Sequence, residues 1–155
     1  MILRKLRAAC GVLVLLLVVA TVGWAEAGAS PDERSLFTAA NRERREQGLP
    51  ALKWNDALAG AARQHAQEMA RENTVAHVLP GEASLPGRAT KAGVKFSALS
   101  ENIVQSASAE GARSQFMKSR AHRANILDRD MDSVGIGVAE RGGHLFVVED
   151  FAKSK

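Results

Sequence analysis

The chain has 155 residues, with 21 Lys and Arg against 17 Asp and Glu, a formal net charge of +4 and one cysteine. That length suits one ordinary domain with a real core, and so near a balance of charge excludes a nucleic-acid binder, which needs a concentrated basic face. A single cysteine, Cys10, excludes a disulfide-stapled scaffold.

Residues 1–27 read as an export signal. Arg4, Lys5 and Arg7 make a basic start, Val12 to Ala20 is an unbroken apolar run, and Ala25-Glu26-Ala27 has the small-x-small form of a signal peptidase site. The run is too short to span a bilayer comfortably. Cleavage is expected after Ala27, with Ala25 and Ala29 as rival sites. Residues 28–155 then form one domain, extracellular or periplasmic, with no transmembrane segment of its own. Cys10 precedes the apolar run, which argues against a lipoprotein anchor, and it leaves with the signal, so no cysteine nucleophile remains. Arg4, Lys5, Arg7 and Glu26 leave too, so the 21 basic and 17 acidic side chains fall to 18 and 16, a net charge of +2. Arg42, Arg44 and Arg45 alternate with Glu43 and Glu46, the pattern of a solvated helix face.

The mature chain opens on Ser30-Pro31-Asp32-Glu33, a serine cap, a proline at the first helical position and a glutamate that can reach back to the cap. This predicts a helix over about 31–47, stopping before Gly48 and Pro50 with Leu36, Phe37 and Ala40 on its inner face. Leu49 to Trp54 reads as an extended link in which Trp54 is a large core plug. Asn55 caps a second helix over about 56–72. Leu58, Ala62, His65 and Met69 form its inner stripe, and six alanines let a neighbour approach its backbone. A lone histidine in such a stripe is read as a satisfied core residue.

Residues 73–100 hold Pro80, Gly81, Pro86, Gly87 and Gly93, and read as a long ordered loop broken by a short helix near 88–91. His77 stands at its start and Glu101 at its end. A helix is expected over 107–119 with Ala112 and Phe116 inward, then a short helical turn over 121–127. Val134 to Val138 alternates apolar residues with Gly135 and Gly137. Arg141-Gly142-Gly143 then joins it to Leu145 to Val148 as an antiparallel hairpin. The two glycines bare one sheet face for a helix to press on. The tail after Ala152 is expected to fray. Helices followed by a terminal sheet define an α+β domain, here a three-layer α-β-α sandwich with a small antiparallel sheet at its centre.

Asn41, Arg44, Gly48-Leu49, Leu52, Trp54, Leu58, Ala62, Ala66 and Met69 are followed in order by His77, Glu101-Asn102-Ile103, His122-Arg123-Ala124-Asn125-Ile126-Leu127, Gly135-Ile136-Gly137-Val138 and Phe151. In this order and spacing the chain resembles the CAP superfamily (cysteine-rich secretory proteins, antigen 5, pathogenesis-related 1), in particular its short, cysteine-free bacterial SCP-like extracellular members. The match covers about 36–151. The resemblance implies an α-β-α sandwich whose cleft is lined by two histidines and acidic residues, here His77, His122 and Glu101. The second acid of many relatives falls on Ser119, so a full set of two histidines and two acids is not carried by the motif positions. Ser100 replaces the usual glycine before the glutamate, and Arg120-Ala121 replaces a common proline-glycine.

The expectation is that His77, Glu101 and His122 converge on one cleft, with Ser119 as a cap and Asn125 as a backbone-bonding turn residue beside them. Two imidazoles and a carboxylate could hold zinc or another divalent cation with one position left to water. No Gly-x-Ser-x-Gly is present, and no activated nucleophile is evident near His122. Three readings follow. The chain is a secreted binding module for a small apolar ligand, a lipid, a peptide or an envelope protein; a metal-dependent hydrolase at the same cleft; or a structural envelope protein in which the polar cluster serves stability.

Overall fold

The computed structural model describes residues 28–155. The proposed signal and its cleavage points at Ala25 and Ala27 lie outside them. The elements run α1 (Pro31–Glu46), β1 (Lys53–Trp54), α2 (Asp56–Glu72), α3 (Leu85–Lys91), β2 (Phe96–Ser106), α4 (Ala109–Lys118), α5 (Arg120–Ile126), β3 (Ser133–Arg141) and β4 (His144–Ser154). No helix among the described residues is long and apolar enough to cross a membrane.

The first two helices start where local chemistry places them. Ser30 accepts from the Glu33 amide while Glu33 accepts from the Ser30 amide, so two otherwise orphaned donors are satisfied at once. Asn55 accepts from Leu58 N–H to open α2, which ends on Asn73 in the left-handed conformation.

The sheet order is β1-β3-β4-β2. β3 and β4 pair antiparallel through the Gly142-Gly143 turn, whose φ values of 59° and 76° suit glycine. β1 adds a short parallel edge, and β2 pairs with β4 to form the other edge. Side chains alternate between the faces. One face carries Val134, Ile136, Val147 and Phe151 against Leu36 and Ala40 of α1, Ala112 and Phe116 of α4 and Ile126 of α5. The opposite face carries Ile103, Phe146 and Val148 against Ala62, Ala66 and Met69 of α2. This is the expected three-layer sandwich.

Gly135 and Gly137 do let α2 press on the sheet. A β-carbon at Gly135 would stand 2.2 Å from the Ala59 nitrogen, and one at Gly137 2.2 Å from the Ala62 carbonyl carbon. The backbones of helix and strand are therefore in contact, and the alanines of α2 are the other half of that fit.

Several expectations are corrected. The expected loop stops short of residue 100, because residues 96–100 already belong to strand β2 (Phe96–Ser106), so Glu101 stands in mid-strand. Its composition, Phe-Ser-Ala-Leu-Ser-Glu-Asn-Ile-Val-Gln-Ser, hides it because polar residues enter both faces. Trp54 is half-buried at the sheet edge, edge-on to Phe37 at 5.5 Å and donating to Asp56 at 2.9 Å, because its indole N–H needs a partner that the core lacks. Arg44 is fully buried rather than solvated, its guanidinium bonded to the carbonyls of Pro50, Ile126, Asp128 and Met131. The tail does not fray at Ala152, since β4 runs to Ser154, held by Asp132.

Candidate functional site

The site forms where the 73–79 segment, the middle of β2 and α5 meet. Glu101 is 8% exposed, and its side chain shares the α2 face with Ile103 two residues on. One carboxylate oxygen bonds His77 Nδ1 at 2.7 Å, and the other takes the Arg88 guanidinium from α3. Arg88 also donates to the carbonyls of His77 and Ala83, so one buried cation fixes the loop that carries the histidine. The His77 side chain remains 61% exposed, a ring held by Nδ1 with its Nε2 left for other contacts.

α5 reaches the same carboxylate residue from beyond the strand edge. Asn125 Nδ2 donates to the Glu101 carbonyl at 3.2 Å and to Asn102 Oδ1 at 2.8 Å, and Asn102 Nδ2 donates to the His122 carbonyl at 3.1 Å. Arg44, by gripping the Ile126 and Asp128 carbonyls, fixes the other end of α5. The His122 ring packs edge-on to Phe116 with centroids 5.2 Å apart. Burial pushes its pKa below 6.5, and the His77 charge pushes it further down, so the two rings lie within reach of each other's field. Ser119 caps α5, its hydroxyl accepting from the His122 amide at 3.4 Å. His77, Glu101, His122, Ser119 and Asn125 are therefore linked around one edge, with Ser119 and Asn125 acting through backbone bonds.

The three candidate ligands do not make a metal site in this arrangement. Among the described residues no group of three or more His, Cys, Asp or Glu side chains could hold a metal ion. The physical reason lies in Glu101, whose oxygens are engaged by His77 and by the Arg88 cation, and in the His122 ring, which packs on Phe116. A guanidinium on the carboxylate competes with the positive charge a metal would bring.

Four further residues belong to the cluster and were not singled out as site residues. His65, fully buried on α2, bonds Glu82 at 2.7 Å through Nδ1, while its Nε2 lacks a partner and lies 3.8 Å from Glu101. The histidine is core, as its stripe suggested, but only half satisfied. Asp150 faces Glu101 across β2 and β4, wholly buried with both oxygens lacking a donor. Burial and the Glu101 charge hold its pKa well above the usual carboxylate range. Arg88 and Glu82 complete the group. A pair of acids, Glu149-Asp150, inside an apolar strand was the available sequence signal for Asp150, whereas nothing marks Arg88.

On the other sheet face Glu149 is buried and accepts from Asn102 at 3.1 Å, with its pKa raised to about 7 by burial. A cavity of about 720 Å³ lies between the outer face of α2 and the 79–92 segment. It touches Glu82 and Arg88 but none of His77, Glu101 and His122.

A three-layer sandwich with a histidine bonded to a buried carboxylate at one sheet edge defines a class of small α+β domain. The chain belongs to the cysteine-rich secretory protein (CAP) family, whose model matches residues 37–151. It is 29% identical to YkwD of Bacillus subtilis over 119 residues, which is 76% of this chain and 46% of YkwD. It thus spans less than half the length of that relative. Among solved structures, an extracellular protein containing an SCP domain from Bacillus anthracis aligns with a TM-score of 0.75 at 26% identity, over 79% of this chain and 40% of that one. An outer surface protein of Borrelia burgdorferi aligns with a TM-score of 0.74 at 20% identity over 80% of this chain and 93% of that one, a likeness of fold.

Proposed function

We propose that the chain is an exported binding module, released by removal of residues 1–27 into the extracellular space or periplasm. In this reading the cleft between His77 and His122 takes a small apolar ligand, a lipid or a peptide. The observation that carries it is the pairing of an exposed ring with a rigid buried base: His77 is 61% exposed yet pinned at 2.7 Å to Glu101, itself anchored by Arg88. A ring so held offers one fixed polar contact near the half-buried His122 ring, which the buried Phe116 backs from the core, and small-molecule sites pair a few placed polar groups with such aromatic surface. The description of the Bacillus anthracis neighbour as extracellular supports export of this chain.

Calorimetric titration of the exported protein with palmitate, repeated with a short apolar peptide, tests the reading. Binding of at least one probe is expected, weakened roughly tenfold by His77→Ala and by His122→Ala, the loss of about one hydrogen bond or a comparable packing contact each. Affinity for both probes that ignores both substitutions would remove the cleft from the function.

A further inference from the structure

Two surface features meet at the mouth of this cleft, and each comes from a different lip. On the α5 lip, residues 111–127 contain no Asp or Glu but carry Arg113, Lys118, Arg120, His122 and Arg123. Lys118, Arg120 and Arg123 are all exposed, and among the described residues none of them joins an ion pair. Arg113, by contrast, is paired with Glu43 of α1. On the loop lip, Val75 and Val78 are 40% and 49% exposed, and they are the exposed large apolar side chains among the described residues. They flank His77. Asn125 of α5 bonds the Glu101 carbonyl and His77 bonds the Glu101 carboxylate, so the segments that carry the cations and the valines converge on one residue of β2.

We propose that this mouth docks on an anionic lipid surface, with Lys118, Arg120 and Arg123 meeting phosphate headgroups and Val75 and Val78 resting at the boundary between headgroups and acyl chains. The inference rests on the reading of the chain as an exported binding module and names the surface from which its ligand is taken. Unpaired cations alone would suit any polyanion. Two exposed valines on the neighbouring segment favour a lipid surface, where phosphate headgroups and apolar chains lie side by side and the valines can leave water next to bound phosphates. The contact is reversible and salt-dependent, since three cations and two valines give a weak interfacial anchor.

The test is co-sedimentation of the exported protein with vesicles of phosphatidylcholine, with and without phosphatidylglycerol. Binding is expected to the anionic vesicles only and to fall as salt is raised. The double variant Arg120→Gln/Arg123→Gln should weaken it roughly twentyfold, at about fivefold for each cation near an anionic surface. Val75→Ser/Val78→Ser should weaken it too, while inorganic polyphosphate should bind to the arginine lip without sensing the valine change. All four positions are exposed, and circular dichroism confirms that each variant is folded. Binding to both kinds of vesicle alike, to neither, or with no response to either double variant overturns the proposal. So does polyphosphate binding alongside vesicle binding that ignores the valines. Palmitate binding that survives when vesicle binding is absent would leave the cleft reading standing and remove this one. Vesicle binding that follows the two lips while palmitate and peptide binding ignores the histidines would do the reverse.

Discussion

Glu101 and Asp150 stand opposite each other on β2 and β4, two carboxyl groups buried on the same face of the sheet beside His65, Glu82 and Arg88. Arg88 and His77 serve Glu101, whereas Asp150 has no donor, and two adjacent buried charges would repel strongly. Burial and the Glu101 charge therefore make Asp150 hold its proton more tightly than a free carboxyl does. A carboxyl that binds its proton more tightly when folded contributes stability below its ordinary value of 3.8 that is lost as pH rises through the raised value. Asp150→Asn keeps the shape and removes that loss. Melting temperatures measured as pH is raised from below 3.8 should fall for the wild type relative to the variant, and parallel curves would show that folding does not raise the Asp150 pKa.

Glu149 behaves in the same sense on the other face. Burial lifts its pKa from 4.5 to about 7 against the pull of Asn102 and the Arg113 charge. Its share of stability is whole below 4.5 and lost as pH rises through about 7, and the shift corresponds to about 3 kcal/mol across that window. Glu149→Gln keeps an acceptor for Asn102, so urea unfolding of the variant should lose this pH dependence.

The His122 ring is predicted to titrate below 6.5, because burial disfavours its charge and a charged His77 disfavours it further. Proton NMR of the ring C2–H in the wild type and in His77→Gln checks this. The midpoint should rise in the variant while staying below 6.5. An unmoved midpoint would mean that the rings do not share a cleft. In stability the sign is the opposite of that for the two acids: the contribution is present above 6.5 and lost as pH falls through the lowered value.

Gly137→Ala should be among the costliest single changes on the sheet. The added carbon would lie 2.2 Å from the Ala62 carbonyl carbon and 2.3 Å from the Arg63 nitrogen, both backbone atoms of α2 that cannot swing aside. Overpacking of this kind costs about 3 kcal/mol or more. Chemical denaturation measures it, and Gly60→Ala, where an added carbon meets nothing within 4 Å, serves as the neutral control.

Much of this architecture was legible because its signals are local. The Ser30 capping box, the Asn55 cap, the α2 stripe and the glycine alternation at 135 and 137 each state their geometry in a few adjacent residues. β2 was not, since its eleven residues alternate poorly and its partner lies some fifty residues downstream in the register Glu101 to Asp150. The site followed the same division. His77, Glu101 and His122 came through a resemblance in motif order; the first two share a hydrogen bond, and His122 joins them through its backbone carbonyl and Asn102. Arg44, Arg88 and Asp150 act through long-range burial and backbone carbonyls, relations that leave no periodic mark in a chain.

β2 is the outermost strand, bonded to β4 alone, and its outer rim would ordinarily invite a second molecule to add a strand. Here Asn125 occupies the Glu101 carbonyl on that rim and Gln115 reaches the Gln105 carbonyl. The amide that ties α5 to β2 thus also guards the chain against sticking to copies of itself. Loss of Asn125 would show first as a tendency to aggregate during refolding.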